Sequence, residues 1–145
     1  MRFVLFLYRL LCARGSCLSY KLVFGNVYNV LVIRYVMKDC VFCKIVAGEI
    51  NADKILENKD FIVFADANPK VEGHMLVIPK VHCGNFMDLD SGLYGGFLST
   101  VKGAVLKLGC KDFNLVVNNG KVAGQIVGHL HLHILPRVDG DGLKV

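Results

Sequence analysis

Three of the five histidines in the chain stand at alternate positions in one stretch, Gly128-His129-Leu130-His131-Leu132-His133-Ile134-Leu135-Pro136. In an extended strand, side chains at i, i+2 and i+4 share a face, so the three imidazoles fall on one side and Leu130, Leu132 and Ile134 on the other. On this reading the leucines bury the strand and the histidines line a site. A strand serving only the fold would avoid crowding three titratable rings, because they repel one another once protonated. Two chemistries suit the pattern: a metal bound by several histidines, or an imidazole nucleophile whose neighbours fix its tautomer and move protons.

The loop before the histidines helps to choose between them. It carries Asn118, Asn119, Gly120, Gly124 and Gln125, a glycine-containing backbone able to turn amides and side-chain donors toward an anion. Histidines beside such a loop read as a phosphate site rather than a carbonyl site. A second constellation is the C-x-x-C pair Cys40 and Cys43. Two thiols do not close a tetrahedral metal site, and the bland alternative is a pair of buried free thiols, the reading also given to Cys83 and Cys110.

Several elements must position these groups. Val41, Phe42, Ile45 and Val46 are spaced for one or two helical turns, closed by Gly48. Lys54 to Glu57 and Phe61 to Ala65 read as strands joined through Asn58-Lys59-Asp60, and Gly73 to Pro79 as another, stopped by a proline that cannot donate to a ladder. Leu93, Phe97, Val101, Val105 and Leu108 recur every three to four residues, which predicts one long amphipathic helix between a cap at Asp90 or Ser91 and Gly109. Phe113 to Val117 and His129 to Leu135 supply the last two strands. The pattern is α+β with a mainly antiparallel sheet and no internal repeat.

The chain has 145 residues, 54% of them hydrophobic and 20% charged, which suits one packed domain and excludes a disordered chain. Its 17 basic and 12 acidic residues are unevenly placed: residues 1–36 hold five basic residues and no acid, so residues 37–145 hold 12 of each and are neutral. Without a Lys/Arg cluster in that body, a nucleic-acid partner is not expected. The longest uncharged run of the first segment, Leu22 to Ile33, is 12 residues, too short for a membrane span of roughly 18–20. The Phe3–Tyr8 run behind Arg2 resembles a short signal core but is broken by Arg9 and Arg14. Charge balance and periodicity turn ordinary at Met37, so residues 1–36 are expected to be an upstream extension with Met37 as the true start; a membrane-surface arm or an extra strand pair are the alternatives. Six cysteines in a chain of this length and apolarity suggest reduced thiols and a cytoplasmic setting.

Four stretches together carry a family resemblance: Cys40-Val41-Phe42-Cys43-Lys44-Ile45, Phe64-Ala65-Asp66-Ala67-Asn68-Pro69, Gly73-His74-Met75-Leu76-Val77-Ile78-Pro79-Lys80-Val81-His82, and Gly124-Gln125-x-x-x-His129-x-His131-x-His133. Residues 37–145 resemble the histidine triad (HIT) family, in its nucleoside phosphoramidate hydrolase branch with a bacterial-type zinc variant. The resemblance implies a five-stranded antiparallel sheet with one long and one short helix, two chains pairing into a ten-stranded sheet. It implies that His131 attacks an α-phosphorus to form a nucleotidyl-histidine, with His133 on the phosphate, His129 beside it and His74 as support. Asn118, the Gly124 amide and the Gln125 region would stabilise charge on the non-bridging oxygens. Asp66 would take the ribose hydroxyls, and Val41, Phe42, Ile45 and Phe64 would form the slot for a purine base. His82 and His129 would complete a structural zinc site with Cys40 and Cys43. Position 126 is Ile where relatives often carry Ser or Glu, which leaves the leaving-group preference open.

The expected function is therefore a nucleotide hydrolase or transferase that cleaves a P–N or P–O bond of purine nucleoside phosphoramidates or related conjugates. Two rivals stand beside it: a hydrolase with a three-histidine metal centre at His129, His131 and His133, and a nucleotide-binding interaction module with incidental turnover.

Overall fold

The computed structural model describes residues 20–27, 30–37 and 39–144. Tyr20–Val27 (β1) and Val30–Met37 (β2) form an antiparallel pair in a two-stranded sheet of their own. The extra strand pair named among the alternatives is thus present, whereas the Phe3–Tyr8 run, Cys12 and Cys17 lie outside the described residues.

The short helix Val41–Val46 (α1) follows, then Lys54–Glu57 (β3), Phe61–Ala65 (β4), Met75–Pro79 (β5), the long helix Tyr94–Leu108 (α2), Phe113–Val116 (β6) and Leu132–Pro136 (β7). The second sheet has five strands in the order β3-β4-β5-β7-β6, every neighbour antiparallel. Period-two alternation divides its side chains between two cores. Phe61, Val63, Met75 and Val77 pack with Leu132 and Ile134 against Phe97, Val101 and Ala104 of α2. Ile62, Phe64, Leu76 and Ile78 turn to the other face and pack with Phe42 and Ile45 of α1. Both faces are covered, so β4 and β5 read as nearly continuous apolar runs rather than as an alternation with polar residues.

A 3-10 turn at Ser91–Leu93 precedes α2, and the Asp90 carboxylate caps it by accepting from the Gly92 N–H at 2.8 Å. Phe97 and Val101 are buried, with Leu93, Val105 and Leu108 packed against the same core, as the helical spacing requires. The helix stops at Gly109, whose φ is +69°.

The last strand differs from its expected span. It runs from Leu132, not His129, and its ladder with β5 ends at Val77↔Leu132. Upstream, the Leu130 N–H donates to the Cys83 carbonyl at 2.7 Å, so the chain leaves the sheet to follow the 82–84 segment. His129 and His131 therefore precede the strand. Both are buried, as are Leu130 and Leu132, so a simple division into a buried leucine face and an open histidine face does not hold.

Candidate active site and metal centre

Ring partners settle the tautomers of His129, His131, His74 and His133. A carbonyl oxygen only accepts, so the nitrogen facing it must carry the proton. At His131, Nδ1 lies 2.7 Å from the His129 carbonyl. Nδ1–H donates there, and Nε2 keeps its lone pair. At His129 the assignment is reversed: Nε2–H donates to the Pro79 carbonyl at 2.9 Å, leaving Nδ1 bare.

A second chain of bonds starts from the backbone. The Lys70 N–H donates to His74 Nδ1 at 3.2 Å, so His74 carries its proton on Nε2. That proton is donated to His133 Nδ1 at 2.9 Å, and His133 in turn bears its own proton on Nε2, at the other edge of the ring. Burial lowers the affinity of both rings for a further proton: His74 lies below the usual histidine range, despite the Asp66 carboxylate, and His133 is pushed down to about 4, with His131 and His74 adding to the effect of desolvation. The relay is therefore neutral near pH 7. The ring centroids of His131 and His133 are 5.0 Å apart, with the rings edge-to-face. Both line a cavity of about 380 Å³ with Asn118, Gly124, Ile126 and Lys70, and with Leu143 and Lys144 from the carboxyl-terminal segment. A clasp shapes that segment: Arg137 pairs with Asp141 and donates to the Leu143 carbonyl at 2.7 Å.

The other residues read from the sequence fall into three places. Asp66 accepts from the Asn68 N–H at 2.9 Å and sits 3.4 Å from His74 Nε2. Phe42, Ile45 and Phe64 lie in the core beneath α1 while Val41 is exposed, and the Phe42 ring meets His131 edge-on at 5.3 Å. Gln125 turns away from the cavity: its side chain binds Gly120, Gly84 and Val127, and its N–H and that of Gly124 donate to the Gly120 and Lys121 carbonyls. Sequence reading missed Lys70, Pro79, Leu143 and Lys144. Lys70 N–H and the Pro79 carbonyl act through backbone atoms, for which residue type gives no signal.

Cys40, Cys43, His82 and His129 bring one ligand atom each to within 4.8 Å of one another. Cys40 Sγ is 3.4 Å from His129 Nδ1, and Cys43 Sγ is 3.3 Å from His82 Nδ1 and 3.7 Å from His129 Nδ1. A zinc ion with usual Zn–S and Zn–N bonds needs sulfur–nitrogen edges of about 3.6 Å, so the donor set fits. The bare Nδ1 of His129 is the nitrogen that faces the thiols, and its Nε2–H on Pro79 is the outer support a metal-bound imidazole usually has. The Cys40 thiol is held far below its ordinary pKa, chiefly by a hydrogen bond with Cys43 and then by His129 and His82, which favours the thiolate. Cys83, outside the cluster, is pushed up to about 11, chiefly by burial, which favours the thiol.

Asp66, His74 and His133 also lie close enough to hold an ion. The Lys70 N–H argues against it, because it occupies His74 Nδ1 and leaves the other nitrogen protonated. The three triad rings do not converge: His129 faces the thiols, His131 the His129 carbonyl and His133 the His74 ring. The three-histidine metal centre has no counterpart here.

The HIT domain profile matches residues 47–140. The chain belongs to the histidine triad family. An adenosine 5'-monophosphoramidase of Schizosaccharomyces pombe is 39% identical over 98 residues, covering 68% of this chain and 74% of that protein. A solved HIT-like protein is 46% identical with a TM-score of 0.67, covering 68% of this chain and 99% of its own. A zinc-bound histidine triad protein from Mycobacterium smegmatis is 37% identical with a TM-score of 0.66, covering 73% of this chain and 80% of its own. The five-stranded antiparallel sheet with one long and one short helix is the HIT fold. No helix among the described residues is long and apolar enough to cross a membrane.

Proposed function

We propose that the chain is a nucleotide hydrolase or transferase that cleaves a P–N or P–O bond at the α-phosphate of purine nucleoside phosphoramidates or related conjugates. The observation that carries this reading is the tautomer of His131: with Nδ1–H held by the His129 carbonyl, Nε2 is a lone-pair nucleophile at the cavity wall. The activity in the name of the fission-yeast relative supports it.

In the first step His131 Nε2 forms a bond to phosphorus as the P–N bond breaks, and the departing nitrogen takes a proton from water and leaves as an amine. His133 Nε2–H and Asn118 donate to the phosphoryl oxygens as charge builds there; one such donor is typically worth about 3–4 kcal/mol of barrier. In the second step water attacks phosphorus, its proton passes to solvent, and the nucleoside monophosphate departs with His131 restored. Asp66 serves the ribose, and the Phe42, Ile45, Phe64 and Val41 region serves the base. Cys40, Cys43, His82 and His129 would hold a structural zinc, which would tether α1 to the triad segment. The domain works as a homodimer in a reducing, cytoplasmic setting. Pairing is supported by the edge position of β6 and the exposure of its Phe113 and Leu115.

Incubation with adenosine phosphoramidate tests the reading. AMP release that survives a strong chelator and vanishes in His131→Ala is expected. Binding without turnover would favour the interaction module, and turnover lost immediately on chelation, with the fold intact, would restore metal catalysis.

A further inference from the structure

The family resemblance groups Gln125 with the phosphate ligands, yet its side-chain amide is spent inward. Gln125 Oε1 accepts from the Gly120 N–H at 2.8 Å, while Nε2 donates to the Gly84 carbonyl at 2.6 Å and the Val127 carbonyl at 3.0 Å. The reverse orientation of the amide would set its oxygen against two carbonyls and its NH₂ against an N–H, so the partners fix it. Both amide protons are used, and none is left for a phosphoryl oxygen.

These bonds belong to a longer seam. The Phe86 N–H donates to Asn119 Oδ1 at 3.0 Å, Gln125 reaches Gly84, and the Leu130 N–H donates to the Cys83 carbonyl at 2.7 Å. His82 and His129 meet at its far end, 4.9 Å apart by ring centroids. Successive rungs thus fasten residues 119–130 along residues 82–86. Within the loop, the Gly120 carbonyl accepts from the Gln125 N–H at 3.1 Å, so the side chain and backbone of Gln125 close the 120–125 turn from both ends. Gly120 and Gly124 have φ of +84°, which suits glycine and gives the closed turn its shape. Asn118, just before this turn, and Gly124, within it, line the cavity with His131 and His133; Gln125 does not.

We infer that Gln125 is a positioning residue, a clamp that fastens the Asn118–Gly124 turn to the 82–86 segment and so sets the cavity wall opposite the nucleophile, without touching substrate. The inference rests on the proposed nucleotidyl transfer for its kinetic consequence, but the clamp itself can be read without turnover.

The test uses the full chain with Gln125→Ala and Gln125→Glu. The glutamate keeps an acceptor for Gly120 and loses both donors to Gly84 and Val127, so its turnover should fall as in the alanine. Amide exchange at Gly120 should rise at least about tenfold in Gln125→Ala, with β4 and β5 unchanged. Turnover of adenosine phosphoramidate should fall about tenfold to a hundredfold, mostly in kcat, the scale of an ångström misplacement. The two diastereomers with sulfur in place of one non-bridging oxygen should fall by the same factor, so the thio preference stays as in the wild type. A changed thio preference, wild-type activity in Gln125→Glu, or unaltered exchange at Gly120 in Gln125→Ala would each overturn the clamp. Should the wild-type chain release no AMP, the proposed activity fails while the exchange measurement still decides the clamp. If neither variant folds, Asn119→Ala cuts the neighbouring rung and should raise exchange at Phe86 with the thio preference intact; a shifted preference would overturn the idea.

Discussion

His129 and His131 stand two residues apart and are both buried, yet a backbone carbonyl captures a different ring nitrogen in each. Pro79 takes Nε2–H of His129 and turns Nδ1 toward two thiols, whereas the carbonyl of His129 takes Nδ1–H of His131 and leaves Nε2 at the cavity. On the proposed reading, one ring joins a closed structural cluster and the other is the open nucleophile. The same residue type would then take opposite roles according to which of its nitrogens the main chain holds.

That contrast can be broken most severely from the structural side. Cys43→Ser should remove the metal and destabilise the fold by several kcal/mol, given that a structural zinc is worth about 10 kcal/mol or more in favourable cases; urea unfolding with metal analysis measures both. His131→Asn should leave metal content and the urea midpoint near wild type, so a stability loss matching that of Cys43→Ser would erase the distinction. Next in size, His133→Ala should reduce kcat by roughly a hundredfold to a thousandfold, as for the loss of one aimed donor, and steady-state kinetics would show it.

A smaller effect concerns pH. His133 binds its proton at about 4 in the fold against 6.5 ordinarily, so the unfolded chain protonates first. Stability should therefore fall as pH drops from 6.5 through about 4, and His133→Gln should flatten that part of the urea-midpoint profile. His74, shifted in the same direction, adds to the slope. The smallest expected change is that of a chain begun at Met37, whose turnover should equal that of the full chain.

Local pattern made much of this architecture legible. The turn residues Asn58-Lys59-Asp60 between apolar runs located β3 and β4, and helical periodicity located α2, because both signals are set by near neighbours in the chain. The C-x-x-C pair and the triad could be seen as chemistry for the same reason. What could not be seen depends on distant backbone: the departure of His129 from the sheet follows from Cys83 and the thiols, the His74 tautomer from the Lys70 N–H, and the inward turn of Gln125 from Gly84. The aspartate at position 66 shows the middle case. The composition of Asp66-Ala67-Asn68-Pro69 suits a turn, but nothing in it signals the 3.4 Å approach to His74.

The central claim is the bond between His131 Nε2 and phosphorus. Rapid acid quench during turnover of adenosine phosphoramidate, followed by peptide mass analysis, addresses it directly. The account predicts an adenylyl group on the peptide carrying the triad, fragmenting to His131 and absent from His131→Asn. Adenylation at His129, His133 or a cysteine, or full turnover by His131→Asn, would contradict it.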